Sequence, residues 1–207
     1  MKLKLFGGGE AKLIDFVPCK YRKRAELGIA FDQFVIISVG EINANKNNRI
    51  VIEAIAKTGR KDIHYLLCGI GAEQPHLKEL SEKLGIQNQI HFLGYQSDVP
   101  ELYQAADVFA LPSFREGLSR SLMEAMASGL PCIVSNIRGN RDLIKNGQGG
   151  YLYNPQNIED VSNTILTLFK ASKDGKEIGK INMQKVKEFD RDLVCQTMTH
   201  IYQEIGD

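Results

Sequence analysis

Phe34-Val-Ile-Ile-Ser-Val39 ends at Gly40 and runs into a polar loop rich in asparagine. Ile50-Val-Ile-Glu-Ala-Ile-Ala56 then carries helical spacing, and His64-Tyr-Leu-Leu-Cys68 ends at Gly69-Ile70-Gly71. A short β-branched apolar run closed by glycine reads as a buried strand, and the amphipathic segment between two such runs reads as a crossover helix. Strand, helix and strand in that order make a parallel βαβ unit. The alternation continues down the chain. An amphipathic stretch with Leu77, Leu80 and Leu84 precedes Ile90-His-Phe-Leu93 and Gly94, and Val99-Pro-Glu-Leu-Tyr103 follows. Asp107-Val-Phe-Ala-Leu111 ends at Pro112, and Pro131-Cys-Ile-Val134 comes after a helical pattern over 118–128. A helix over 138–146, the run Gly150-Tyr-Leu-Tyr153 and a long helix over 158–170 complete the series. The spacing predicts an α/β fold, a doubly wound parallel sheet of about six strands with helices on both faces.

Outside this series the pattern changes. The first ~17 residues hold Gly7-Gly8-Gly9 and no helix to follow them, so 1–19 read as a linker or remnant. The main domain is expected over 20–172. From 173 onward only helical spacing remains, at Met183, Val186, Phe189, Leu193, Met198, Ile201 and Ile205, which predicts helices packing on that domain.

Composition excludes several classes. The 207 residues are 43% hydrophobic, enough for a core without disulfide or metal staples. Lys+Arg 26 against Asp+Glu 25 leaves a net charge of +1, which argues against a nucleic-acid partner. No apolar stretch approaches the ~20 residues of a membrane span. The opening Met-Lys-Leu-Lys-Leu-Phe-Gly-Gly-Gly-Glu has no secretory h-region. Cys19, Cys68, Cys132 and Cys195 are widely spaced, as are the four histidines, so buried free thiols, no metal site and a cytoplasmic location are expected.

In a doubly wound sheet, ligands lie beyond the carboxyl ends of the strands. The segment there with most chemistry is Pro112-Ser-Phe-Arg-Glu-Gly-Leu-Ser-Arg-Ser-Leu-Met-Glu-Ala-Met-Ala-Ser-Gly-Leu-Pro131. Glu116 falls in a turn after a strand and Glu124 in the next helix. A helix starting near Ser119 leaves the amides of 117 to 121 without intrahelical acceptors, which suits a phosphate. Glu124 could then meet the vicinal hydroxyls of a ribose, and Glu116 a second sugar. Two plainer readings compete: Ser121-Leu-Met-Glu124 also fits a capping box, and Glu116 could be a solvated loop residue.

The segment resembles the E-x7-E motif of retaining family 4 glycosyltransferases, nucleotide-sugar enzymes of the GT-B fold. The resemblance extends from about residue 20 to 170. It rests on Ser38-Val39-Gly40 with Lys46-Asn47, Cys68-Gly69-Ile70-Gly71, Phe92-Leu93-Gly94, Ala106-Asp107-Val108-Phe109, Pro112-Ser113, Glu116-Gly117 and Met123 to Pro131, in the family's order. Ser135-Asn-Ile-Arg-Gly-Asn140 looks most like members that build bacterial capsule and exopolysaccharide.

The resemblance implies a Rossmann-like donor-binding domain, the C-terminal half of a GT-B enzyme. It implies a nucleoside-diphosphate sugar, expected to be a UDP-sugar, as donor and a glycan or lipid-linked glycan as acceptor. Glu124 would bind the ribose and Glu116 the donor sugar. The amides of Gly117, Leu118 and Ser119 would face the sugar and diphosphate. Gly40 is carried over as a nucleotide-sugar-binding residue, and Lys46 would neutralise diphosphate charge, unless it is simply a solvated loop lysine. Gly69, Gly71 and the Tyr95 backbone would border the base, where glycine permits close approach, although a tight turn explains the glycines as well. No metal or other cofactor is expected. An N-terminal acceptor-binding domain is expected as the missing partner, with any membrane association through that half alone, and the isolated chain is expected to transfer little or nothing.

One position departs from the family. Many members carry arginine after the first strand-end glycine, where this chain has Glu41. Diphosphate charge then rests on Lys46, with Arg115 and Arg120 as candidate helpers or solvated residues. Two other readings stay open, a non-catalytic nucleotide-sugar-binding subunit and half of a GT-B-fold epimerase. A dinucleotide oxidoreductase is disfavoured, because Gly69-Ile-Gly71 continues into Ala-Glu-Gln with no third glycine.

Overall fold

The computed structural model describes residues 16–172 and 175–190, with 192, 193, 195, 196, 198, 199 and 203 beyond them. Helix α1 (Phe16–Glu26) leads into β1 (Phe34–Val39), α2 (Asn48–Thr58), β2 (Ile63–Cys68), α3 (Gln74–Lys83) and β3 (Ile90–Gly94). After α4 (Val99–Ala105) come β4 (Val108–Leu111), α5 (Arg120–Ala127), β5 (Cys132–Ser135) and α6 (Arg138–Leu143). The two-residue β6 (Lys145–Asn146), β7 (Gly149–Tyr153), α7 (Ile158–Lys170) and α8 (Gly175–Lys185) follow.

The sheet order is β3-β2-β1-β4-β5-β7-β6, and the six main strands run parallel. The chain winds outward from β1 in one direction and then in the other, so the winding reverses between β1 and β4. This is the doubly wound, Rossmann-like α/β sheet that the alternation predicts, with a seventh short strand at its edge.

Strand periodicity builds a core on each face. Phe34 and Ile36 of β1 pack with Ile52 and Ile55 of α2 and Ile165 of α7 on one face. Val35 and Ile37 pack with Leu102 and Tyr103 of α4 and Leu122 and Met126 of α5 on the other. Every residue of β2 is buried, as expected of a strand covered on both sides.

Two boundaries differ from the sequence reading. Helix α6 ends at Leu143 rather than 146, because Lys145 and Asn146 turn to edge β7, with Asn146 Oδ1 accepting from the Leu152 amide at 2.9 Å. Within the stretch read as linker or remnant, residues 1–15 lie outside those described, and Phe16 to Lys20 open α1. Of the cysteines expected as buried thiols, Cys68 and Cys132 are buried, whereas Cys195 is exposed. The Cys19 side chain lies outside the described residues.

Helix α8 is fastened by close backbone approach and one asparagine. A side chain at Gly179 would put its Cβ 1.9 Å from the Gly129 carbonyl oxygen. Asn182, 1% exposed, donates to the carbonyls of Leu130 and Gly149, both at 2.6 Å.

Candidate functional site

The winding reversal leaves a cleft at the carboxyl ends of β1 and β4, lined by Gly40, Glu41, Ile42, Lys46, Leu111 and Pro112. Lys46 reaches it from a 3-10 turn, Ala44–Lys46, whose asparagines have separate tasks. Asn43 caps the turn by accepting from the Lys46 amide at 3.1 Å. Asn45 ties it to the loop after β4: its carbonyl accepts from the Phe114 amide at 2.8 Å, and its Nδ2 donates to the Arg115 carbonyl at 3.0 Å. Asn47 takes the left-handed conformation, φ 49°, that swings the chain into α2.

These ties bring Lys46 to Glu116 across 70 residues of sequence, Nζ to Oε1 2.6 Å. Ser113 Oγ donates to the same oxygen at 2.6 Å. Neither member of the pair is a solvated loop residue, since their side chains are 21% and 13% exposed. The Lys46 ammonium lies against Gly40, where an added Cβ would stand 3.8 Å from Nζ.

Beyond Glu116 the chain passes exposed Gly117 and Leu118 to Ser119, the N-cap of α5. Ser119 Oγ accepts from the Leu122 amide at 3.4 Å. The amides of 117 to 121 thus precede the first capped position, at the positive end of an eight-residue helix. Glu124 lies just over a turn further on. Its Oε2 is 3.2 Å from the Tyr103 hydroxyl, and its Oε1 is 3.7 Å from Arg120 Nε. Burial, reinforced by the Glu124 charge, pushes the Tyr103 hydroxyl well above its ordinary pKa, so it remains a donor. With the cap at Ser119, the Ser121–Glu124 capping box does not form. The two carboxylates share no partner: Glu116 sits with Lys46 and Ser113, Glu124 with Tyr103 and Arg120.

The glycines of the neighbouring loop have a reason in the protein itself. A Cβ at Gly69 would stand 1.9 Å from the Gly40 carbonyl oxygen, and one at Gly71 would stand 2.1 Å from that of Ile42. The loop after β2 lies directly on the loop after β1, with Ile42 N donating to Ile70 O at 3.0 Å. The Gly69 amide donates to Gly94 O at 2.8 Å, and Tyr95 follows, 79% exposed. Gly69 and Gly71 therefore lie against the loop that lines the cleft, whereas Tyr95 follows β3, two strands from β1. Glu41 is exposed at the rim of the cleft.

Several residues around the site have no signal of their own in the sequence. Tyr103 and Asn140 are buried polar groups whose role depends on long-range contacts. Gly139 was visible only as part of a family-like string. An added Cβ there would stand 2.1 Å from the Gly117 carbonyl oxygen, so α6 presses on the Glu116–Gly117 turn. His64 and His91, far apart in sequence, meet on adjacent strands with Nδ1 and Nε2 2.9 Å apart. Burial, then the charges of His91 and Arg24, push His64 down to about 4. Among the described residues, no group of three or more His, Cys, Asp or Glu side chains is placed to hold a metal ion, and no helix is long and apolar enough to cross a membrane.

A family model described as Glycosyl transferases group 1 matches residues 20–185, the whole sheet and the site upon it. The chain belongs to this family. Relatives similar to it include EpsD of Bacillus subtilis (strain 168), whose name as a glycosyltransferase is provisional, 31% identical over 90% of this chain and 49% of its own length. The UDP-Gal:alpha-D-GlcNAc-diphosphoundecaprenol alpha-1,3-galactosyltransferase of Escherichia coli is 34% identical over 70% of this chain and 38% of its own. Among solved structures, Alr3699/HepE of Anabaena, in complex with UDP, matches with a TM-score of 0.82 and 26% identity over 91% of this chain and 53% of that one. The group 1 chain thus spans about half the length, or less, of these curated relatives.

Proposed function

We propose that this chain is the donor-binding half of a retaining glycosyltransferase that takes its sugar from a UDP-sugar and passes it to a glycan or lipid-linked glycan. The observation that carries the reading is the Lys46–Glu116 pair at the β1/β4 reversal, beside the amide end of α5. Glycosyl transfer breaks the bond between the anomeric carbon and the diphosphate, and negative charge grows on the departing phosphate oxygens. An ammonium at the strand ends and the amides that precede α5 stabilise that charge. Lys46 meets the diphosphate, the amides of Gly117, Leu118 and Ser119 meet its oxygens and the sugar, and no metal is called for. Glu116 accepts from a sugar hydroxyl and Glu124 from the ribose hydroxyls, while the loops of Gly69, Gly71 and Tyr95 border the base. The UDP-bound state of the Anabaena neighbour supports the choice of nucleotide. No general base is assigned in this half, which suits retention with the leaving phosphate taking the acceptor proton. The acceptor and the residues that bind it belong to an N-terminal domain, so this chain alone binds donor and transfers little.

Calorimetry with UDP, GDP and ADP tests the reading. One nucleotide, UDP, binds best, and Glu124→Ala weakens it about tenfold, the loss of a charged acceptor shared by two hydroxyls. Absence of binding by all three, or binding indifferent to Glu124→Ala, overturns it. Glu116→Ala keeps UDP affinity and loses discrimination among UDP-sugars; loss of UDP itself would overturn the division of roles between the two carboxylates.

A further inference from the structure

Resting on that reading of Lys46 and Glu116, we propose that Ser113 is a positioning residue. Anchored by Ser135 and Asn140, it keeps Glu116 aimed at the donor sugar once Lys46 engages the diphosphate.

Glu116 Oε1 receives two donors, Lys46 Nζ and Ser113 Oγ, each at 2.6 Å. They are not equivalent. Lys46 ends a flexible stem, is 21% exposed, and lies over Gly40 where an anion at the strand ends would draw it. A diphosphate carries more charge than one carboxylate, so the ammonium shifts towards it and the pair loosens. Ser113 cannot follow. It is 0% exposed, and its carbonyl accepts from Ser135 Oγ at 2.5 Å. Ser135, also 0% exposed, is fixed in turn by Asn140 Nδ2, 3.0 Å from both its carbonyl oxygen and its hydroxyl.

The proton count along this chain closes. Asn140 gives its amide hydrogens to Ser135, and the Ser135 hydroxyl gives its hydrogen to the Ser113 carbonyl. The Ser113 hydroxyl is left to donate to Glu116. Asn140 is 0% exposed, and of its side-chain atoms only Nδ2 has partners among the described residues, the Ser135 carbonyl and hydroxyl. Helix α6 also restrains the backbone at the same place, through Gly139 against the Gly117 and Glu116 carbonyls. Glu116 is therefore gripped by its side chain and its main chain from one helix turn. Oε1 is occupied, and Oε2 is the oxygen left to accept from a sugar hydroxyl.

The test is calorimetry of this chain with UDP, UDP-glucose, UDP-galactose and UDP-N-acetylglucosamine, for the wild type, Ser113→Ala, Ser113→Thr and Glu116→Ala. The readout is the ratio of affinities for the tightest UDP-sugar and for UDP. Ser113→Ala is expected to keep UDP affinity within about twofold and to lower the ratio about five- to tenfold, towards that of Glu116→Ala. Ser113→Thr, which keeps the hydroxyl, restores the ratio. Should Ser113→Ala melt below the assay temperature, Ser113→Cys replaces it, a close isostere with a weak donor and the same expected loss. A ratio unchanged in the Ser113 variants but lowered by Glu116→Ala overturns the positioning role and leaves the donor reading standing. Equal loss of UDP and UDP-sugar on Ser113→Ala also overturns it, as the mark of a general structural effect. A ratio indifferent to Glu116→Ala removes Glu116 from the donor sugar, and this inference with it, while UDP binding weakened by Glu124→Ala leaves the donor reading standing.

Discussion

Strands β1 and β4 carry a charge pair at each end, and the two pairs are built on opposite plans. At the amino ends, Arg24 of α1 is buried, its side chain 3% exposed. It donates to the carbonyls of Ala105, Phe31 and Gln33 and to Asp107 Oδ2, at 2.7 to 2.8 Å. Asp107 also accepts from the Val35 amide and from Lys20. At the carboxyl ends, Glu116 takes one of the three ammonium hydrogens of Lys46, in a cleft open to solvent. The first pair has almost no hydrogen-bonding capacity left and fastens α1 and α4 to the sheet. The second keeps capacity in reserve, at the place where a doubly wound sheet binds ligands. Saturation separates the two: the first pair holds the fold, and the second leaves ammonium hydrogens without an acceptor among the described residues.

The largest test of that contrast is Arg24→Ala. Removing Arg24 leaves the carbonyls of Ala105, Phe31 and Gln33 without their donor, while Asp107 keeps Lys20 and the Val35 amide, a cost of about 3 kcal/mol. Urea denaturation measures it, and the nucleotide affinity of the folded variant should be unchanged. A small cost, or lost affinity without lost stability, breaks the contrast.

A smaller effect belongs to the same face of the sheet. The folded state holds His64 at about 4, against an ordinary 6.5, so between those values the unfolded chain binds more protons. Stability from this group is complete above pH ~6.5 and is lost as pH falls towards 4. Urea midpoints across that window should fall less steeply in His64→Gln than in the wild type; equal slopes would show that the histidine pair does not titrate with folding. The smallest stability effect is that of Lys46→Ala. A partly exposed ion pair contributes ~1 kcal/mol or less, and a loss near that of Arg24→Ala would erase the distinction between the ends.

The sequence made the ends unequally legible. Strand periodicity, with glycine closing β1, β2 and β3 and Pro112 closing β4, placed these strands, because buried parallel strands must be apolar and their ends must turn; the reversal between β1 and β4 came only from the sheet order. The resemblance pointed to Lys46, Glu116 and Glu124. What stayed hidden depended on contacts between distant segments. Nothing local in Ser113, Ser135 or Asn140 says that they form one buried chain, or in Asp107 that it receives Arg24. Gly69 and Gly71 were read as bordering a ligand or as a tight turn, and nothing local says that their neighbours are the Gly40 and Ile42 carbonyls. The capping-box pattern at Ser121 failed for a local reason: Ser119 took the N-cap two residues earlier.

The central claim is that the unsaturated pair marks a diphosphate site. Calorimetry of wild type and Lys46→Ala with UDP and with uridine tests it most directly. The account predicts that Lys46→Ala weakens UDP about tenfold, flattens its dependence on salt, and leaves uridine affinity unchanged. UDP affinity that survives the substitution, or a parallel loss for uridine, would contradict it.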